Sequence, residues 1–178
     1  MHPLVASLAA AALAFAPANH AAARTLHPQH RSGLRASALE AGLLREINRT
    51  RAAHGLRALR WSTRLTAAAR QHSSSMAAKG YFSHDSADGG SFWRRIAGFY
   101  GYRGYRQWSV GENLLWSSPS VSPGGALQMW MNSPPHRENL LSRTWRDIGL
   151  SAVHATSAPG VYRGMAVTIV TADFGLRY

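Results

Sequence analysis

The hydrophobic residues of this chain change their spacing along the sequence, and this change constrains the fold more than any other feature. In the earlier part, apolar side chains recur every three or four residues, as at Leu39, Leu43 and Ile47, which is the period of an amphipathic helix. Residues 147–153 and 161–174 are rich in Val, Ile and Thr, and they predict one strand and then one or two more. Helices followed by strands predict an α+β fold, with helices packed on an antiparallel sheet.

Capping residues and glycines predict where the two longest helices begin and end. The first is predicted over 38–53 and stops at Gly55, because glycine commonly ends a helix. The second is predicted over 63–79, with Ser62 or the following threonine as its cap and Gly80 closing it.

A loop dense in Gly, Tyr and Arg is predicted over 98–108, after a short helix at 92–97. Within this loop, residues 102–106 read Tyr-Arg-Gly-Tyr-Arg. Aromatic rings interleaved with arginines can stack on sugars or bases, whereas a packed loop that covers the core is the more ordinary interpretation.

The first residues predict export. Residues 1–23 hold no Asp, Glu, Lys or Arg, and their apolar run at 4–15 is too short to span a bilayer but suits a signal peptide. We therefore expect a signal peptide at 1–23, a leader at 24–37 and one domain at 38–178. The expected product is secreted or lies in the cell envelope, with no transmembrane segment in the mature chain; an uncleaved anchor is the alternative.

The charge of the chain favours anionic partners. There are 20 Lys and Arg against 8 Asp and Glu, a formal net charge of +12, and there is no cysteine to form a disulfide. Acidic cell-wall polymers and lipid headgroups fit this charge. Because the arginines are scattered and no nucleic-acid motif is present, no specific nucleic-acid partner is expected, and a solvated basic surface is the simplest interpretation.

A histidine at a helix start is the strongest chemical signal. Ser133 suits an N-cap and Pro134 the first helical position, which places His136 in the first turn. The positive end of the helix dipole disfavours the imidazolium there, and a neutral ring can bind a metal or accept a proton.

Two more polar stretches are predicted to lie among turns, Ser83-His84-Asp85 and Gly111-Glu112-Asn113. We predict that His84, Glu112 and His136 meet in one cleft; the alternative is three unrelated surface positions. Glu112 adjoins an apolar run, so it is either desolvated and functional or bonded to a backbone amide. His72 lies on an apolar helix face and is interpreted as a hydrogen-bonded core residue rather than a ligand.

With these motifs in view, residues 40–176 resemble the bacterial, cysteine-free branch of the CAP superfamily, also called SCP domains, which includes cysteine-rich secretory proteins, antigen 5 and pathogenesis-related proteins. No single piece is decisive, but the order and spacing of the pieces are specific. The matching pieces are Gly55-Leu56 with Trp61, Gly-Tyr-Phe-Ser-His at 80–84, Gly-Glu-Asn-Leu at 111–114, the stretch 130–137, Ile148-Gly149-Leu150 and Asp173-Phe174-Gly175.

The resemblance implies a three-layer α-β-α sandwich with a central antiparallel sheet. It also implies a cleft lined by two histidines and two acidic residues, in which some members bind a divalent cation. His84, Glu112 and His136 match three of these positions, so the resemblance implies that they converge as metal ligands, with zinc as a candidate ion.

The second acidic position departs from the family pattern. The expected glutamate, about five residues before Trp130, is replaced by Gly125, which has no side chain to coordinate a metal. Asp85 or Asp88 could substitute, although Asp88 better suits a turn. The loss of one acid is expected to weaken metal binding.

Two functions follow as hypotheses. The first is a non-enzymatic binding module for a lipid, sterol or anionic cell-envelope ligand. The alternative is a metal-assisted hydrolase, protease- or esterase-like, in which His84 and His136 hold zinc and Glu112 is the general base. The sequence contains no H-E-x-x-H, no G-x-S-x-G and no cysteine nucleophile, which favours the binding module.

Overall fold

The computed structural model describes residues 37–178, so the predicted signal peptide and nearly all of the predicted leader lie outside the described residues. In chain order the elements are α1 (Ala38–Ala53), β1 (Arg60–Trp61), α2 (Thr63–Lys79), α3 (Phe92–Phe99), β2 (Trp108–Ser117), α4 (Pro123–Met131), α5 (Pro134–Leu141), β3 (Asp147–Ala155) and β4 (Val167–Arg177). Among the described helices, none is long and apolar enough to cross a membrane.

The sheet is built around β4. Its strand order is β1-β3-β4-β2, and β4 pairs antiparallel with both β3 and β2, while the two-residue β1 pairs parallel with β3 at the edge. All but the last residue of β4 are buried, because both faces of the sheet are covered by helices. The predicted α+β class and three-layer sandwich are confirmed.

The two faces of the sheet have separate cores. Leu43 of α1 and Trp130 of α4 pack with Phe174 on one face. Met76 of α2 packs with Ile169 on the other. Each fully buried side chain of this size contributes roughly 1.5–3 kcal/mol to folding, so the apolar stripes of the helices hold the layers together.

The predicted ends of the two long helices match the structure. Ser37 and Glu40 form a reciprocal capping box at the start of α1. Ser62 caps α2 by accepting a hydrogen bond from the Leu65 amide, and Gly80 ends α2 in the left-handed region at φ 71°.

The structure corrects the interpretation of Gly111-Glu112-Asn113 as a turn. These residues lie inside β2, where Glu112 is the register partner of Asp173 in β4. Gly, Glu and Asn are poor strand formers, but pairing with a buried central strand outweighs their weak preference. The strand region predicted over 161–174 begins later in the structure. Residues 160–162 form a short 3-10 helix, and β4 starts at Val167.

Candidate functional site

Glu112 is the centre of the site. Its position on β2 points its side chain into the layer of α2 and α3, where the side chain is only 1% exposed. Oε1 accepts a hydrogen bond of 2.8 Å from Nδ1 of His84, and Oε2 is bonded to the guanidinium of Arg95. Both carboxylate oxygens therefore have a donor.

His84 is oriented by this contact. Its Nδ1–H donates to Glu112, which leaves Nε2 as the ring nitrogen outside that bond. Burial, and after it the charge of Arg95, lowers the pKa of His84, so the neutral imidazole is favoured. Glu112 thus fixes the tautomer and orientation of His84, as a carboxylate does when it accepts the second ring N–H of a metal-binding or basic histidine.

Arg95 is a site residue that sequence reasoning missed. Its buried guanidinium joins α3 to the cleft by bonding Glu112, the His84 carbonyl at 3.1 Å and Ser86 Oγ at 3.2 Å. The sequence marks it only as half of the adjacent pair Arg94-Arg95, and nothing local distinguishes the buried member from the exposed one.

Asp173 is the second acid of the cluster, also missed from sequence. It lies opposite Glu112 in the β2–β4 register, is fully buried, and neither carboxyl oxygen has a hydrogen-bond partner among the described residues. An aspartate inside a predicted strand rich in Val, Ile and Thr was the available signal, since a buried carboxyl needs a specific partner.

Burial raises the pKa of both acids. For Asp173, burial and then the charge of Glu112 raise the pKa well above its usual range. For Glu112, burial raises the pKa to about 7 against the opposing effect of Arg95. Glu112 is bonded to the Arg95 guanidinium, so Glu112 ionises first and Asp173 keeps its proton.

His72 supports the loop that carries His84. As predicted from its helix face, it is buried, and its Nε2 bonds the Ser83 carbonyl at 2.8 Å. Burial and then Arg95 lower the pKa of His72 to about 3, so its 4.0 Å approach to Glu112 is not an ion pair at neutral pH.

His136 lies in the first turn of α5, as predicted, but its ring bonds Ser133 Oγ at 2.8 Å. Its carbonyl accepts a hydrogen bond from the Asn113 amide at 2.9 Å, which ties α5 to β2 next to Glu112. Burial lowers the pKa of His136, and repulsion from the His84 ring when it is protonated lowers it further. The two rings therefore lie near enough for the charge of one to affect the other. The structure thus joins His84 and Glu112 directly and places His136 beside them.

The donor set does not fit the predicted metal site with Glu112 as a ligand. Both oxygens of Glu112 are engaged by His84 and Arg95, and within residues 37–178 no three His, Cys, Asp or Glu side chains are arranged to hold a metal ion. Zinc binding stays a prediction, and the geometry gives Glu112 the role of orienting His84.

Gly125, at the position expected to hold the second acid, and Asp88, one of its proposed substitutes, make local hydrogen bonds instead. The Gly125 amide donates to Ser122 Oγ at 3.1 Å at the start of α4. Asp88 accepts from the Gly90 amide at 3.0 Å in a turn, and Asp85 is exposed. The acid that accompanies Glu112 comes instead from β4.

Comparisons with known proteins agree with this architecture. Residues 44–174 match the model of the CAP family, described as the cysteine-rich secretory protein family. The chain is 31% identical over 121 residues to the uncharacterized protein YkwD of Bacillus subtilis, covering 68% of this chain and 45% of that protein. It is 32% identical over 111 residues to the uncharacterized membrane protein YlbC of the same organism, covering 62% and 30%. The chain therefore spans less than half of these curated relatives.

Solved structures give the same result. An extracellular SCP-domain protein of Bacillus anthracis is 30% identical, with a TM-score of 0.55 over 75% of this chain and 40% of that one. An outer surface protein of Borrelia burgdorferi is 20% identical, with a TM-score of 0.58 over 76% and 90%, and it supports the fold alone.

Proposed function

Since the chain belongs to the CAP, or cysteine-rich secretory protein, family, we propose that it is a secreted, non-enzymatic binding module for a cell-envelope ligand. The likeness to an extracellular protein of Bacillus anthracis and the predicted signal peptide support secretion. The net charge of +12 supports an anionic ligand, such as an acidic wall polymer or a lipid headgroup.

The observation that carries this proposal is that both carboxyl groups of the acidic cluster, Glu112 and Asp173, are buried away from the surface. A general base must come within hydrogen-bond reach of the substrate proton. Glu112 is 1% exposed with both oxygens bonded, and Asp173 is fully buried behind it. The carboxylates therefore act on their protein neighbours rather than on a substrate, which supports a structural cluster within a binding domain.

The alternative, a metal-assisted hydrolase, has one observation in its favour. A pKa of about 7 would suit Glu112 as a general base. Against it, the carboxylate has no free oxygen, and no step through a metal follows from this donor set.

A paired binding and turnover assay tests the proposal. The purified mature protein is sedimented with isolated bacterial envelopes, and hydrolysis of ester and peptide substrates is measured with and without added Zn²⁺. We expect cosedimentation, no turnover above background, and the same cosedimentation for Glu112→Gln.

Two results would contradict the proposal. One is wild-type turnover that Glu112→Gln abolishes while thermal melting shows the variant to be folded. The other is a failure of the wild-type protein to associate with envelopes.

A further inference from the structure

A groove on the protein surface combines exposed aromatic rings with arginines. It has a volume of about 650 Å³ and is formed by α3, the loop after it and the end of β4; we call it the aromatic-arginine groove. Its aromatic residues are Trp93, Tyr102 and Tyr105. We propose that this groove binds an acidic polysaccharide, a chain whose sugar rings carry negative charges. This inference rests on the proposed function and specifies its ligand class and binding surface.

The aromatic rings of the groove are exposed, and one of them, Tyr102, is packed against a neighbouring ring. Trp93 is 42% exposed, Tyr102 52% and Tyr105 42%. Tyr102 packs edge-on against Trp108 at 5.8 Å between ring centroids, and the Arg106 amide donates to the Tyr178 carbonyl at 2.7 Å. Rings that are fixed before binding lose little conformational entropy, and large planar side chains offer stacking surface to a sugar ring.

Cations lie directly beside these rings. The guanidinium of Arg94 is 5.2 Å from the Trp93 ring centroid, and that of Arg177 is 4.8 Å from the Tyr105 ring centroid. A sugar stacked on either ring would place a carboxylate, sulfate or phosphate within reach of a guanidinium, which bonds such groups with paired N–H donors. Each pair of an aromatic ring and a guanidinium therefore fits a charged sugar better than a neutral sugar or an anion without a ring.

A second concavity extends the positive surface. It has a volume of about 410 Å³ and includes Arg57 and Arg146, and it shares Arg177 with the aromatic-arginine groove; a third arginine there, Arg60, is paired with Asp147. Neither concavity has an acidic side chain among its lining residues in the described part of the chain. Because each volume alone is in the range of small-molecule sites, two that share an arginine fit a polymer better than one sugar.

Other polyanions fit less well. Bases of nucleic acids also stack on aromatic rings, but the resemblance to an extracellular protein makes an envelope polymer the polyanion that the chain would meet. A bilayer surface is best met by a protruding apolar face, whereas these rings line a concavity.

A negative charge introduced into the groove tests the proposal without removing any contact. Gly98 lies in α3 and lines the groove, and a Cβ built there meets no atom within 4 Å. Gly98→Glu therefore adds a carboxylate to the groove. Gly124→Glu is the matched control, because Gly124 is a helical glycine of α4 with equally open space and the same charge change.

The probe is an octamer of galacturonic acid, titrated by calorimetry at low salt. We expect wild-type binding that weakens at least about tenfold in Gly98→Glu and stays within about twofold in Gly124→Glu, because a like charge in the site repels the ligand. No wild-type binding, or equal losses in both variants, would overturn the proposal.

A second set of ligands separates stacking from charge. Polyphosphate has charge without sugar rings, and the methyl-esterified octamer has rings without charge. Both are expected to bind at least about tenfold more weakly than the charged octamer, and Trp93→Ala should weaken only the charged octamer and its ester. Polyphosphate, single-stranded DNA or phosphatidylglycerol vesicles binding as tightly as the octamer would overturn the assignment.

The envelope assay keeps the two proposals distinguishable. Envelope association that Gly98→Glu leaves intact would remove the groove as the binding site and leave the proposed function standing. An absence of envelope association in the wild-type protein would contradict the proposed function itself.

Discussion

At the scale of single residues, Arg95 holds the cleft together. It bonds the side chain of Glu112 and the carbonyl of His84, and thereby joins β2, α3 and the loop between α2 and α3. Removing one partner of a buried ion pair leaves the other charge without compensation, which costs more than the pair itself contributes.

We therefore expect Arg95→Met to lower the free energy of unfolding by about 3–5 kcal/mol, the usual cost of breaking a buried pair. Urea denaturation followed by circular dichroism measures this. The control is Arg94→Met on the exposed side of α3, expected to stay within about 0.5 kcal/mol of wild type. Similar losses in both variants would show that Arg95 does not compensate Glu112.

Asp173 gives a pH-dependent prediction. Its pKa is raised in the folded state, so folding keeps a proton that the unfolded chain releases above about pH 4, and stability is lost as pH rises from there towards the folded pKa. Asp173→Asn cannot ionise. We expect the variant to gain stability relative to wild type progressively as pH rises from about 4 towards neutrality.

Unfolding free energies measured across this pH range check that prediction. Glu112, His84 and Arg95 face Asp173 and are unchanged in the variant. The control is Glu138→Gln, an exposed carboxyl of α5. A difference between Asp173→Asn and wild type that does not vary with pH would mean that Asp173 is ionised in the folded protein.

At the scale of elements, α2 lies unusually close to β3. A Cβ at Gly149 of β3 would lie 2.1 Å from the backbone carbonyl carbon of Leu65 and 2.1 Å from the amide nitrogen of Thr66. Backbone atoms cannot rotate away as a flexible side chain can. This close approach brings α2, with His72 on it, down onto the sheet beside the acidic pair.

Gly149→Ala is accordingly expected to destabilise the protein by about 3 kcal/mol or more, at the upper end of overpacking effects. Gly98→Ala is the opposite case, a helical glycine with open space, and should stabilise by roughly 0.5–1 kcal/mol. Chemical denaturation of the two variants gives both values. If Gly149→Ala left the free energy of unfolding unchanged, α2 would be able to move away from β3 without cost.

At the scale of the whole molecule, the excess of positive charge opposes compaction. Only three Lys or Arg side chains form ion pairs in the described part of the chain, those of Arg49, Arg60 and Arg95. The remaining cations repel one another through solvent, and added salt screens that repulsion.

Raising NaCl from about 0.05 to 0.5 M is therefore expected to increase the free energy of unfolding by about 1 kcal/mol, because the Debye length shortens severalfold. Urea denaturation at both salt concentrations measures the effect. In Arg45→Glu with Arg143→Glu, two exposed sites, the net charge falls from +12 to +8 (12 − 4), and the salt effect should shrink. If salt stabilised this variant as much as the wild-type protein, the stabilisation would not come from screening of the excess positive charge.

The sequence by itself determined the local features. Periodicity and capping located α1 and α2, because helix stripes and caps depend on residues within a few positions of one another. The resemblance placed His84, Glu112 and His136 near one cleft, and the structure brings His84 and Glu112 into contact.

Tertiary structure alone decided the rest. Glu112 belongs to a strand because β4 pairs with it, and Asp173 is its neighbour because two strands distant in sequence share a register. Arg95 differs from Arg94 only in facing the protein interior. Burial and cross-strand pairing join residues far apart in the chain, and these contacts, rather than local preference, set the protonation and partners of the acidic cluster.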